Sequence, residues 1–293
     1  KKIQNKLDIN ILNYKIFTNK YIIYEENEIG KVYKLSNNLL LSEGEYKNGK
    51  KNGKGKEYFS KSMIFEGEYK KGKRNGYGKE FYFSHVGNII FEGEYLNGKR
   101  WNGKIYDKFG KSDCQLINGK GFIKEYDLSA DLKFVGEYLN GERNGKGKEF
   151  HFNGKIKYVG TFKNGKKNGK GKEYNFKGKL IFEGEYLNGK QWNGLLYNNI
   201  NPYNDDEIDI CELKNGKGHI KVYDYGKLRF EGEYINGLKN GIGKEYYSNG
   251  NIKFEGEYIN GLKNGKGKEY YENGYIRFEG EYLYNYIIKG RLY

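Results

Sequence analysis

Apolar and polar residues alternate strictly in short stretches along this chain, and the stretches recur. From Ile252 to Tyr258, the residues Ile252, Phe254, Gly256 and Tyr258 fall on one side, and Lys253, Glu255 and Glu257 on the other. A period of two predicts a strand with one face toward a core. Lys244-Glu245-Tyr246-Tyr247 reads as the preceding strand, and Ser248-Asn249-Gly250-Asn251 as the turn between them. Asn-Gly between apolar runs predicts a type I′ turn, and the pair recurs at Asn153-Gly154 and Asn273-Gly274. An aromatic recurs in the first strand (Tyr58, Phe81, Phe150, Tyr174, Tyr246, Tyr270), and we expect it to face the core.

The phrase Phe-Glu-Gly-Glu-Tyr repeats. Its Gly falls at 44, 67, 93, 136, 160, 184, 232, 256 and 280, with spacings of 23, 26, 43, 24, 24, 48, 24 and 24. Such a period means a repeat architecture. The expected fold is all-β: an elongated, single-layer array of about eleven antiparallel hairpins, on the order of 100 Å long at the strand spacing. Gly256 leaves room on the aromatic side for a neighbouring ring. The long gaps hide degraded units near 101–126 and 192–223, marked by Trp101 and Trp192, then Cys114 and Cys211. The division expected is a divergent N-terminal cap at 1–29, the array at 30–282 and a C-terminal cap at 283–293. In the first cap, Ile3, Leu7, Ile11 and Tyr14 could line a helical face, although Leu7, Ile9 and Ile11 also alternate. The opening Lys1-Lys2 reads as a processed or excised piece.

Composition changes this picture little. The 31 Tyr and 44 Gly among 293 residues suit a thin sheet with aromatic rows and exclude a disordered chain. The net charge of +15 admits anionic partners, although part of it reflects a Lys- and Asn-rich codon bias. Two Cys and no 18-residue apolar run imply an intracellular, cytoplasmic setting, with membrane or cytoskeletal association open. We expect both thiols to be free.

Gly-Glu-Tyr followed by Asn-Gly and then Asn-Gly-Lys-Gly resembles the MORN repeat, in a variant also similar to repeats of bacterial antitoxin proteins. The resemblance covers roughly Gly30 to Tyr282. It implies a row of β-hairpins forming a twisted single-layer sheet with an aromatic-lined groove. It also implies scaffolding, cytoskeletal or membrane-associated assembly, binding of partner helices, and phospholipid binding.

Catalytic chemistry is sparse. His85, His151 and His219 share no repeat position, and neither metal nor cofactor spacing occurs, so no enzyme is expected. Asn168 to Lys172 and its equivalents, reminiscent of phosphate loops, read as hairpin connections. Asp205, Asp206, Glu207 and Asp209 near Pro202 read as a solvated loop. Glu45, Glu68, Glu94, Glu137, Glu185, Glu233, Glu257 and Glu281 form one row, with Lys56, Lys79, Lys148, Lys172, Lys244 and Lys268 to compensate it.

The leading function is a non-enzymatic scaffold that binds a protein partner, helix or extended peptide. Its contact row would be Tyr46, Tyr69, Tyr95, Tyr138, Phe162, Tyr186, Tyr234, Tyr258 and Tyr282, with Trp101 and Trp192 as fillers or anchors. An exposed end could pair two copies. The alternative is a tether to anionic phospholipid through a basic loop edge: Lys50, Lys51, Lys73, Arg74, Arg143, Lys166, Lys167, Lys239 and Lys263. Single-stranded nucleic acid ranks lower, because Glu occupies the middle of each unit. An antitoxin-like role rests on resemblance alone.

Overall fold

A computed structural model describes residues 19–25, 28–85, 87–112, 114–201 and 204–293, with the side chains of 201 and 204–207 excepted. The helix-or-strand pattern at Ile3 to Tyr14 and Pro202 itself lie outside the described residues. Every described element is a strand or a turn, and no helix there could cross a membrane. The chain divides into two compact units, Lys1–Gly154 and Lys155–Tyr293.

Each unit is a succession of antiparallel hairpins in which strands pair with their sequence neighbours. In the first unit a nine-stranded sheet runs from Lys20–Tyr24 to Cys114–Leu116, and Gly121–Tyr126 begins the next sheet. In the second unit, Asn204–Leu213 ends one sheet, and a seven-stranded sheet runs from Lys217–Asp224 to Tyr286–Leu292. The stretches expected as caps therefore contribute strands: Lys20–Tyr24 pairs with Ile29–Lys34, and Tyr286–Leu292 with Ile276–Leu283.

The sheet breaks fall at the degraded units for a steric reason. Elsewhere glycine faces glycine across the strands, as at Gly67 and Gly78 or Gly256 and Gly267. At the breaks Leu116 stands opposite Gly103, and Leu213 opposite Gly194. Ile123 and Ile220 take the next glycine positions. These aliphatics are buried and replace ring packing with side-chain packing, so the close backbone approach is lost.

The type I′ turns sit elsewhere than the sequence suggested. Asn260-Gly261 has φ of 51° and 88°, both left-handed, and joins Ile252–Ile259 directly to Leu262–Tyr270. At Asn249-Gly250 only the glycine has positive φ (91°), and its N–H donates to Tyr247 O, which makes a longer loop built on an ordinary turn. Asn168 to Lys172 is not a connection either: it lies inside the strand Lys166–Tyr174. Register slips there, between Gly160 and Phe162 on the partner strand, and Gly169 at φ 82° forms a bulge. The acidic run is likewise on a strand, Asn204–Leu213, where Asp209 faces Asn198.

Candidate functional site

The two faces of each sheet have different chemistry. One face carries the core. Phe254 is fully buried although the sheet is a single layer, because its ring lies flat on backbone: a Cβ at Gly256 or Gly267 would stand 2.7 or 2.6 Å from Phe254 Cζ. Tyr258 and Tyr282 meet the ring edge-on at 5.5 and 5.4 Å. Lys263 Nζ then closes the top, 4.1 Å from the Phe254 centroid, and is held there by Glu269 at 2.8 Å. Glycine floor, ring, cation and carboxylate thus form one stack, which recurs with Arg74 over Phe65 at 3.8 Å, Arg143 over Phe134 at 4.4 Å and Lys239 over Phe230 at 4.2 Å.

This stack relocates most of the residues the sequence nominated. Tyr69, Tyr95, Phe162, Tyr186, Tyr258 and Tyr282 are buried, between 2% and 6% exposed. Tyr46, Tyr138 and Tyr234 are half-buried. They are core rather than a free contact row, because each packs edge-on against a Phe or Tyr ring of its own or the preceding hairpin, as Tyr69 does on Phe65, Tyr46 on Tyr24 and Phe162 on Tyr158. Several are also tied by their hydroxyls: Tyr69 donates to Glu57 and Tyr95 to Glu80, each at 2.6 Å, and Tyr186 to Glu173 at 2.7 Å. Burial, with the neighbouring carboxylate adding to it, pushes the Tyr69, Tyr95 and Tyr186 phenols far above their ordinary pKa.

The expected basic edge is divided in the same way. Lys51, Arg74, Arg143, Lys167, Lys239 and Lys263 cover rings and are not loop residues. Burial lowers the Lys51 ammonium. Lys50, Lys73 and Lys166 remain exposed beside the turns. Trp101 and Trp192 are half-buried, each packed against the glycine of the following turn (Gly119 and Gly216).

The recurring first-strand aromatic turns to the opposite face in Tyr58 and Tyr270, which donate at 2.6 Å to Glu43 and Glu255. Burial and then Glu43 push Tyr58 up to about 12. A register slip between Glu57 and Tyr58 lies beside it.

That opposite face holds a groove in the first unit, of about 630 Å³, crossing the strands over Gly44, Gly55, Gly67 and Gly78. Glu43, Lys56, Glu66 and Lys79 wall one side, and Glu45, Lys54, Glu68 and Tyr77 the other. The walls are set by their own bonds. Lys79 pairs with Glu92 at 3.0 Å, Tyr77 donates to Glu92 at 2.6 Å, and Glu45 accepts the Lys54 N–H at 3.2 Å. The bonds from Tyr77 and Lys79 hold the Glu92 carboxyl below its usual range. The lysines expected to balance the second glutamate of each Glu-Gly-Glu therefore pair with the first: Lys172 meets Glu183 at 2.9 Å and Lys268 meets Glu279 at 3.2 Å. In the second unit, grooves of the same kind lie over Gly171 and Gly184, and over Gly256, Gly267 and Gly280. The sequence placed Glu45, Glu68, Lys56 and Lys79 in charged rows but not around a trough; the signal for the trough was glycine facing glycine between those rows.

The histidines lie on separate hairpins; His85 contacts Ser84 at 2.8 Å, and His219 approaches Glu231 at 3.9 Å. Among the described residues no His, Cys, Asp or Glu group could hold a metal ion. Cys114 and Cys211 form no disulfide.

Six segments match the family model of the MORN repeat: residues 43–63, 65–85, 134–155, 158–178, 230–252 and 254–274. No curated protein matches the chain. A crystal structure of a Staphylococcus aureus TarM mutant in complex with Fondaparinux, alpha-GlcNAc-glycerol and UDP is similar at 12% identity, over 55% of this chain and 24% of that one. The TM-score is 0.13, so the likeness carries no argument, and this chain spans about a quarter of that protein's length.

Proposed function

Since this chain is built of MORN repeats, we propose that it is a non-enzymatic scaffold holding a protein partner in the groove of its first unit. The observation that carries this reading is the glycine-floored trough itself. It is long and open, and both walls mix carboxylates with ammonium groups. Such walls suit a helix or extended peptide carrying both charges, and they disfavour a polyanion. The aromatic face is largely closed by its cations, and its smaller cavity of about 360 Å³, lined by Lys167, Tyr186, Leu213 and Tyr234 among others, lies in the second unit. Crosslinking mass spectrometry at native abundance tests the reading. The expected result is crosslinks from Lys54, Lys56 and Lys79 to one defined protein. Crosslinks confined to the chain itself would overturn it.

A second reading, a tether to anionic phospholipid, is favoured by Lys47, Lys50, Lys70 and Lys73, which stand exposed beside successive turns of the first unit. Each basic residue near such a surface contributes about 1 kcal/mol. Partitioning onto vesicles should rise with phosphatidylserine content and fall with salt; unchanged partitioning would exclude this reading.

A further inference from the structure

The degraded stretches of the two units are built alike, and one place in them differs. In the first unit Arg100 stands opposite Tyr95, and its guanidinium is held by Glu80 at 2.6 and 3.1 Å. Its neighbour Lys99 pairs with Glu142 of a later hairpin at 2.8 Å. Gly141, beside Glu142, closes down on both: a Cβ there would meet Arg100 O at 2.8 Å and Lys99 Cβ at 3.0 Å. In the second unit the matching positions are Gln191 opposite Tyr186, its neighbour Lys190, and Leu238 opposite Ile235, where Glu142 stands opposite Leu139. Arg100 is thus replaced by an amide and Glu142 by an aliphatic. The turn stands further off as well. No described atom lies within 4 Å of the Cβ position of Gly237. The N–H that donates to the preceding turn is that of Asn236, to Gly216 O, where the first unit uses Gly141, to Gly119 O.

These changes open the cavity of about 360 Å³ in the second unit. Tyr186, Tyr234, Leu196, Leu213 and Ile220 give it apolar walls, and Glu173 and Lys190 line it too. Glu173 accepts from Lys167 at 2.8 Å, Tyr186 at 2.7 Å and Gln191 at 3.2 Å. Its counterpart Glu80 accepts four bonds, one from Arg74, one from Tyr95 and two from Arg100. A carboxylate has about four lone-pair sites, so Glu173 can take a further donor. We infer that this cavity binds arginine with a free carboxylate, as the amino acid itself or as the last residue of a peptide. The guanidinium meets Glu173, the aliphatic stem lies among the tyrosine and aliphatic walls, and the carboxylate meets Lys190. One molecule then supplies both groups that this unit lacks beside the first. Lys167 does not oppose it, because Arg74 and Arg100 share Glu80 in the first unit. A planar guanidinium matches a carboxylate better than an ammonium does. The volume lies at the small end of ligand pockets, which suits a single amino acid. The cavity is in the second unit and shares no residue with the partner groove of the first, so the two readings fail separately.

The test is isothermal titration calorimetry on the full chain with L-arginine. The expected result is saturable binding. Citrulline, which carries a neutral urea group in place of the guanidinium, and agmatine, which lacks the carboxylate, should each bind about tenfold or more weakly. Gln191→Arg introduces the residue that the first unit already uses at this position, so the fold accommodates it. That variant should fill the cavity with its own guanidinium and lose arginine binding, while its β-sheet circular dichroism stays that of the wild type. A peptide ending in arginine, titrated beside the free amino acid, identifies the source by which binds more tightly, and either order supports the site. Absence of saturable arginine binding, an analogue that binds as tightly as arginine, or undiminished binding in Gln191→Arg would overturn the inference.

Discussion

Glu80 shows how one residue secures a stack. Its carboxylate accepts from Arg74 at 3.0 Å, Arg100 at 2.6 Å and Tyr95 at 2.6 Å, with only 16% of the side chain exposed. Burial opposes its charge, but the Arg100 and Arg74 guanidiniums and the Tyr95 hydroxyl outweigh burial and hold the carboxyl at about 2, against an ordinary 4.5. A depressed carboxyl pKa stabilises the fold above about pH 4.5, and that contribution is lost as pH falls through 2. Its full size is on the order of 3 kcal/mol. Glu80→Gln should therefore lose about 3 kcal/mol at pH 7, the low end for breaking a buried ion pair. In urea titrations the gap from wild type should narrow to about half by pH 3, because the wild type is by then losing the same term. Parallel pH profiles for the two proteins would show that the ion pair is not what Glu80 contributes. Gly256 answers to sterics instead. A methyl there would meet Lys266 O at 2.6 Å, Gly267 Cα at 2.7 Å and the Phe254 ring at 2.7 Å, and backbone cannot move aside. Gly256→Ala should cost about 1–3 kcal/mol in denaturant unfolding; a neutral result would mean that the ring does not rest on the glycines.

The hairpin is where the sequence was partly legible. Strand alternation at Ile252–Ile259 could be read at once, since Phe254 and Tyr258 face the core and Glu255 and Glu257 do not. Asn-Gly identified turns, but it recurs within each repeat, at Asn249, Asn260 and Asn264 for example, and the pair alone does not say which copy sits at a two-residue loop. Only the pairing does: Ile259 faces Leu262, which leaves Asn260 and Gly261 as the whole connection. The Asn-Gly within Lys-Asn-Gly-Lys-Gly-Lys was misread as a loop because a bulge needs the same positive φ that a turn needs. Ordinary alternation turns the first-strand aromatic outward: Glu57 is on the ring face, bonded to Tyr69 and Arg74, so Tyr58 falls with Lys56 on the other, and the register slip beside it skips Ile64 on the partner strand. Turn geometry gives a direct check. Asn260 is itself left-handed, whereas at Asn273-Gly274 only the glycine is, at 90°. Asn260→Ala should destabilise by about 1 kcal/mol, the cost of placing alanine in that conformation. Asn273→Ala, which loses a 3.2 Å side-chain bond to the Tyr275 N–H at an exposed site, should cost a fraction of that. Equal losses in thermal unfolding would refute this assignment of the turns.

At the scale of the whole chain, the cations that suggested a binding edge are largely committed to covering rings. Charge alone could not separate Lys263, paired with Glu269 over Phe254, from an exposed lysine such as Lys50; the difference lies in which face of the strand each position takes. The stacks also decide how disturbance spreads. Phe254 is covered by tyrosines of its own and the next hairpin, and each described strand shares its backbone ladder only with its sequence neighbours. Stability in such an array is a sum of repeat terms and nearest-neighbour terms. The aliphatic breaks at Leu116 and Ile123, and at Leu213 and Ile220, interrupt the glycine floor on which the ring stacks depend. Phe254→Ala removes the centre of a stack and should cost about 3–5 kcal/mol locally. Native-state hydrogen exchange should then speed up across the seven-stranded sheet from Lys217 to Leu292, most strongly in Ile252–Ile259 and the strands beside it. Amides of Ser62–Lys70 and Ile89–Leu96, which share no hairpin with Phe254, should keep their wild-type protection. If protection fell equally everywhere, the chain would unfold as one cooperative body and the breaks would have no energetic meaning; if it fell only beside Phe254, even neighbouring hairpins would be uncoupled. The graded result is the one that ring, cation and glycine contacts between adjacent hairpins require.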